Sequence, residues 1–99
     1  MAKVYEFLAD GFEEIEALAP VDVLRRGGVE TVTVSIMGRR EVVSAHGVTV
    51  VADLMIEEAG DFSDADMLLL PGGMPGSTNL RDHQGVIAAL QRQAQAGKR

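Results

Sequence analysis

Apolar residues fill positions 4–9 with one interruption, Glu6, and Asp10-Gly11 follows, so the chain opens with a strand over residues 3–9 and a turn. A carboxylate is out of keeping with a strand buried on both faces. Glu6 therefore points to a place near a sheet edge or to a sequence altered from its natural parent, two readings the pattern leaves open. Residues 12–27 read as a helix. Glu13 and Glu14 fall in its first turn and Arg25 and Arg26 in its last, each complementing the helix dipole, and Gly27-Gly28 ends it. Pro20 lies inside this segment and predicts a kink or break near Ala19, because it removes a backbone donor.

Residues 29–36 alternate and are rich in Val, Thr and Ile, which predicts a second strand. Met37-Gly38-Arg39 turns the chain, and residues 41–44 and 48–52 form two short strands around Ala45-His46-Gly47. Residues 57–66 are an acidic connection. Met67 to Leu70 is a continuous apolar run, as in a central parallel strand, and Pro71-Gly72-Gly73-Met74-Pro75-Gly76 is a tight loop. Asp82 reads as the N-cap of a last helix, with Val86, Ala89 and Leu90 at helical spacing. Strand, helix, strand, hairpin, strand, helix is the beginning of a doubly wound α/β fold with a mostly parallel sheet. After such a helix the next element is expected to be another parallel strand, so residues 1–99 read as one incomplete, half-sized domain.

Composition narrows the chemistry. A hydrophobic share of 46% and a charged share of 24% are ordinary for a globular protein, and no apolar run approaches the roughly 20 residues that cross a bilayer. The first residues lack the pattern of a signal peptide, so a cytoplasmic location is expected. A net charge of −6 disfavours nucleic acid as the partner. Cys is absent, which removes disulfides, thiolate metal ligands and any thiol nucleophile supplied by this chain. The two His residues, His46 and His83, stand far apart, and a metal site here would need unusual carboxylate help; none is expected, nor any cofactor.

Two places can carry chemistry. On a helix, Glu16 shares a face with Phe12, Ile15, Ala19 and Val23, which aims a carboxyl group along the apolar stripe. Burial there would raise its pKa and favour a protonated form able to donate to a thiolate or pass a proton to a carbonyl oxygen. Alternatively, Pro20 turns the helix and leaves Glu16 as one more solvated acid beside Glu13 and Glu14. The second place is Pro71-Gly72-Gly73, at the carboxyl end of a strand, where open α/β sheets bind ligands. Its glycines let backbone N–H groups approach a developing oxyanion, or simply serve a strand-to-helix turn that needs positive φ. No lysine accompanies Ser77-Thr78, so this is not a Walker-type phosphate loop. His46, in a hairpin turn, and His83, in a first helical turn, read as surface residues, and Ile15 as a partner contact.

Leu8-Ala9-Asp10-Gly11-Phe12-Glu13-Glu14-Ile15-Glu16-Ala17, then Pro20-Val21-Asp22-Val23-Leu24-Arg25-Arg26-Gly27-Gly28, resembles the first strand–helix unit of the ThiJ/PfpI family. Leu69-Leu70-Pro71-Gly72-Gly73 followed by Leu80-Arg81 matches the family's second segment, and together these span nearly the whole chain. The resemblance implies a flavodoxin-like fold, usually a homodimer, with a nucleophilic cysteine on a strained elbow. It implies that Glu16 is the protonated acid bonded to that thiolate and that Gly72 and Gly73 lie beside it. It also implies cofactor-free glyoxalase or deglycase chemistry on small aldehydes, chaperone action or a stress-response role. The cysteine is not in this chain, which reads as the family's N-terminal portion without its nucleophile strand. By itself it is expected to be inactive, with a second copy or a complementary C-terminal chain completing the sheet. The competing expectation is a half-domain that self-associates as an interaction module without catalysis.

Overall fold

In the computed structural model, which describes residues 2–60, 62–71, 80 and 83–95, the anticipated elements follow in order, with one further short strand after the hairpin. They are β1 (Lys3–Leu8), α1 (Glu14–Arg26), β2 (Glu30–Ser35), β3 (Glu41–Val43), β4 (Thr49–Val51), β5 (Leu54–Met55), β6 (Met67–Leu69) and α2 (Gln84–Gln95). Four strands form one sheet in the order β5-β2-β1-β6, and every pairing in it is parallel. β3 and β4 form a separate antiparallel hairpin. The chain leaves β1 for β2 on one side and returns to β6 on the other, so the winding reverses direction at β1.

The two faces of the sheet differ sharply in polarity. One carries Tyr5, Phe7, Val34, Phe62, Leu68, Val86 and Ala89, a continuous apolar core that seats α2. The Phe62 ring meets Tyr5 and Phe7 edge-on, with centroids 4.9 and 5.1 Å away. Phe62 adopts φ 61, an unusual backbone state for a bulky residue, held here by its burial between those rings. The opposite face presents Val4 at one end and Leu8 at the other, Leu8 packed with Phe12, Ala17, Val42 and Ala52, and with them Glu6, Thr31, Thr33 and Ser35, all buried.

This polar face explains how α1 sits. Only Ala17 and Val21 of the helix are buried. Beyond its apolar core, α1 is tied down by polar contacts: the Arg25 guanidinium donates to the Thr31 carbonyl at 2.9 Å and to Asp53 Oδ2 at 2.8 Å. The expected apolar stripe of Ile15, Ala19 and Val23 therefore faces outward, with Ile15 73% and Val23 66% exposed, and Glu16 is exposed with it. The expectation that Glu16 lies on the buried side fails because the helix begins at Glu14, capped by Glu13, and turns its small residues, not its large ones, to the sheet. Pro20 does not break the helix, which runs through it as one element.

Glu6 corrects the edge reading. β1 has a strand on each side, and Glu6 is 1% exposed. Its lateral neighbours are Thr33 on β2 and Leu69 on β6. The Thr33 hydroxyl is committed, donating to Asp53 Oδ2 at 3.1 Å and accepting from the Asp53 N–H at 2.9 Å, and Leu69 has nothing to offer. Glu6 Oε1 is thus enclosed without a hydrogen-bond partner, and desolvation pushes its carboxyl up from 4.5 to about 8. At neutral pH it is largely protonated.

The acidic connection holds more structure than its composition suggested. It is preceded by the two-residue strand β5 and includes most of a 3-10 turn, Ile56–Glu58, in which Glu58 accepts from the Met55 N–H at 2.9 Å. Asp82 lies outside the described residues. His83 precedes α2 and its Nδ1 accepts from the Gly85 N–H at 3.1 Å, so it acts as a helix-capping residue.

Candidate functional site

Parallel strands place all their carboxyl ends on one edge, and the winding reverses at β1, the position at whose carboxyl end open α/β sheets in general bind ligands. β1 ends at Leu8, and its register with β6 sets Glu6 beside Leu69, so the turn into α1 and the segment at Pro71 leave the sheet side by side. The N-terminal turns of α1, bearing Glu13, Glu14 and Glu16, start from this edge. Pro71 is buried; Gly72 and Gly73, with the rest of the predicted loop, lie outside the described residues. Glu16 is at the expected end of the sheet but on the solvent side of α1 rather than under it.

What holds the start of α1 in place is the hairpin. Gly11, at φ 88, donates its N–H to the Val43 carbonyl at 2.8 Å, and the Ala45 N–H donates to the Phe12 carbonyl at 2.8 Å. Asp10 accepts from the Val43 N–H at 3.1 Å through one carboxylate oxygen and from Arg39 at 2.6 Å through the other. The hairpin turn is thereby folded over the helix start, and His46 at its tip meets the acids there. His46 Nδ1 lies 2.6 Å from Glu14 Oε1 and 3.8 Å from Glu13 Oε2. The Glu14 carboxyl is held below its usual range, chiefly by the nearby Ser44 hydroxyl and also by His46. Glu13 uses its other oxygen, Oε1, to accept from the Ile15 N–H at 2.7 Å, the N-cap bond of α1.

The expected pairing of Glu16 with Gly72 and Gly73 falls on residues outside the described ones; Glu16 and Pro71 share the edge, and a cluster that linear spacing did not suggest stands there too. His46 and Glu14 are 32 positions apart. The only local hint was the acidic start of the helix; the closure of the hairpin onto it is a long-range event.

A doubly wound parallel sheet with an acid-bearing helix starting at its switch point defines a flavodoxin-like α/β domain. Comparison with known proteins gives the class a family. The DJ-1/PfpI family pattern matches residues 2–99, and the chain belongs to that family, the one its two segments resemble. It is similar to Protein DJ-1 homolog B of Arabidopsis thaliana, 35% identical over 91 residues, which cover 92% of this chain and 20% of that protein. It is also similar to the Parkinson disease protein 7 homolog of Danio rerio, 36% identical over 86 residues covering 87% of this chain and 46% of that one. Among solved structures, oxidized Toxoplasma gondii DJ-1 superposes with TM-score 0.94 at 38% identity, spanning 99% of this chain and 53% of that one. A DJ-1 superfamily protein of Salmonella typhimurium, solved as a cysteine-to-alanine mutant, superposes with TM-score 0.93 at 42% identity and the same 99% coverage, against 52% of its own length. The chain thus spans about half or less of the relatives it matches.

Proposed function

We propose that this chain supplies the acid and glycine portion of a cysteine-dependent site acting on small α-oxoaldehydes, completed by a C-terminal portion that brings the thiol. The carrying observation is the family match over residues 2–99 together with the arrival of Glu16 and the Pro71 segment at one sheet edge. In the completed site the thiolate adds to the aldehyde carbon, and the carbonyl electron pair moves to oxygen, forming a hemithioacetal. Glu16 delivers the proton to that oxygen, and the N–H groups of Gly72 and Gly73 stabilise its charge as it develops. The former aldehyde carbon then loses its proton, and the C–H electron pair forms an enediol as the ketone oxygen takes up a proton. Protonation of the second carbon, with loss of the first carbon's hydroxyl proton, gives a 2-hydroxy thioester, one carbon oxidised and the other reduced. Water releases a hydroxy acid and returns the thiol. No external oxidant or cofactor is consumed. Docking of the thiol-bearing portion would also cover the Glu16 side chain that this half leaves in solvent.

The test is methylglyoxal consumption. This polypeptide alone, which has no cysteine, is expected to show none above background. Fused to the C-terminal half of the Salmonella relative with its cysteine restored, it should turn over, and Glu16→Gln in the fusion should cost about 10²–10⁴-fold. Saturable turnover by the 99-residue chain, or full activity of the Glu16→Gln fusion, overturns the proposal.

A second reading, a self-associating module, rests on two surfaces. Among the described residues β6 pairs on one side only, and α1 exposes Ile15, Leu18 and Val23. We assign the β6 edge to the complementary portion, since an open parallel edge is a template for another strand, and the α1 face to a second copy. No described helix is long and apolar enough to cross a membrane.

A further inference from the structure

We infer that Glu13, Glu14 and His46 form a binding site for a divalent transition-metal ion of the zinc type. One donor atom from each residue lies within 4.8 Å of the other two. Zinc held at about 2.0–2.2 Å by tetrahedral ligands separates them by about 3.4 Å. The observed 2.6 Å from His46 Nδ1 to Glu14 Oε1 and 3.8 Å from Nδ1 to Glu13 Oε2 bracket that spacing. Small side-chain rotations bring all three donors onto one ion, with water in the fourth position on the exposed His46 side.

The division of labour within the cluster supports the assignment. Glu13 Oε1 is spent on the helix cap, which orients the carboxylate and leaves Oε2 turned toward His46. Glu14 meets the imidazole through Oε1, while its Oε2 is shut off from solvent on the side away from that contact. Two carboxylates with one imidazole match the charge of a divalent ion and outweigh the partial positive charge of about 0.5 at the helix start. The N/O donor set suits zinc and its neighbours rather than calcium or magnesium, which take oxygen ligands only. Because backbone bonds clamp the hairpin to the start of α1, the donors from the two elements are already near one another before an ion arrives.

The chain should bind one equivalent of Zn²⁺ in calorimetric titration, and Co²⁺ should give the visible absorption of a four-coordinate N/O site. His46→Ala and the shape-conserving Glu14→Gln should each weaken binding at least tenfold, the lower end of what loss of mere outer-shell partners costs. His83→Asn, at the remote histidine, should leave binding unchanged. Zn²⁺ should raise the urea midpoint of the parent chain and of His83→Asn, but not of His46→Ala. Absence of binding, binding indifferent to both His46→Ala and Glu14→Gln, or loss on His83→Asn overturns the site.

Discussion

Replacing Glu6 by Gln keeps shape and hydrogen-bonding size while removing the ionisable proton. In the folded chain the Glu6 carboxyl titrates near 8 instead of 4.5, because it is enclosed between Thr33 and Leu69 without a partner. The folded state therefore holds a proton that the unfolded state releases. This raised pKa contributes stability that is fully present below 4.5 and is lost as pH rises through about 8. At about 1.4 kcal/mol per pH unit, burying the charged form costs roughly 5 kcal/mol by the end of that window and roughly 3 kcal/mol at pH 7. Domains of this size have only about 5–15 kcal/mol in total, so the effect is a large share. Urea unfolding at a series of pH values between 4 and 9 reads it directly. The parent should lose stability steadily across the window, whereas Glu6→Gln should match it at acid pH and exceed it by several kcal/mol at the alkaline end. Glu58 and Asp64, whose carboxyls are lowered by their partners, act below the window and with opposite sign. Parallel pH–stability curves for the two proteins would refute the claim that Glu6 is buried and unpaired.

Phe62→Ala removes the ring between Tyr5 and Phe7 and should destabilise the chain by about 3–5 kcal/mol, seen as a lower urea midpoint. Asp53→Ala strips the Thr33 N–H of its acceptor at 3.0 Å and should cost about 1–3 kcal/mol in the same assay, mostly from that buried donor rather than from the half-exposed Arg25 pair. If α1 is the face for a second copy, Ile15→Lys combined with Val23→Lys should shift sedimentation to the monomer without changing the circular dichroism.

The sheet was readable because its strands announce themselves locally. β-branched alternation marked β2, an unbroken apolar run marked β6, and Gly27-Gly28 closed α1. β5 was not readable: two residues have no periodicity, and Leu54 and Met55 pair only because β2 is already in place. The helix face was misjudged because Ile15 and Val23 are larger and more apolar than Ala17 and Val21, yet the sheet beneath is lined with Thr31, Thr33 and Glu6 and admits the smaller pair. Hydrophobic patterning assumes an apolar partner surface, and here much of that surface is polar. Glu6 misled for the same reason, since a central strand was assumed to exclude a carboxyl. Of the two readings the sequence leaves open for Glu16, the exposed one beside Glu13 and Glu14 is the one the structure follows.

The hairpin is the member whose influence extends furthest from its own position. Because Val43 and Ala45 fasten the segment that starts α1, the aim of three acids is governed from a stretch thirty residues downstream. Variation in residues 40–50 can therefore shift where Glu13, Glu14 and Glu16 sit at the sheet edge while those acids themselves stay the same. Hydrogen exchange should find the Gly11 and Ala45 amides opening together, as two ends of a single latch.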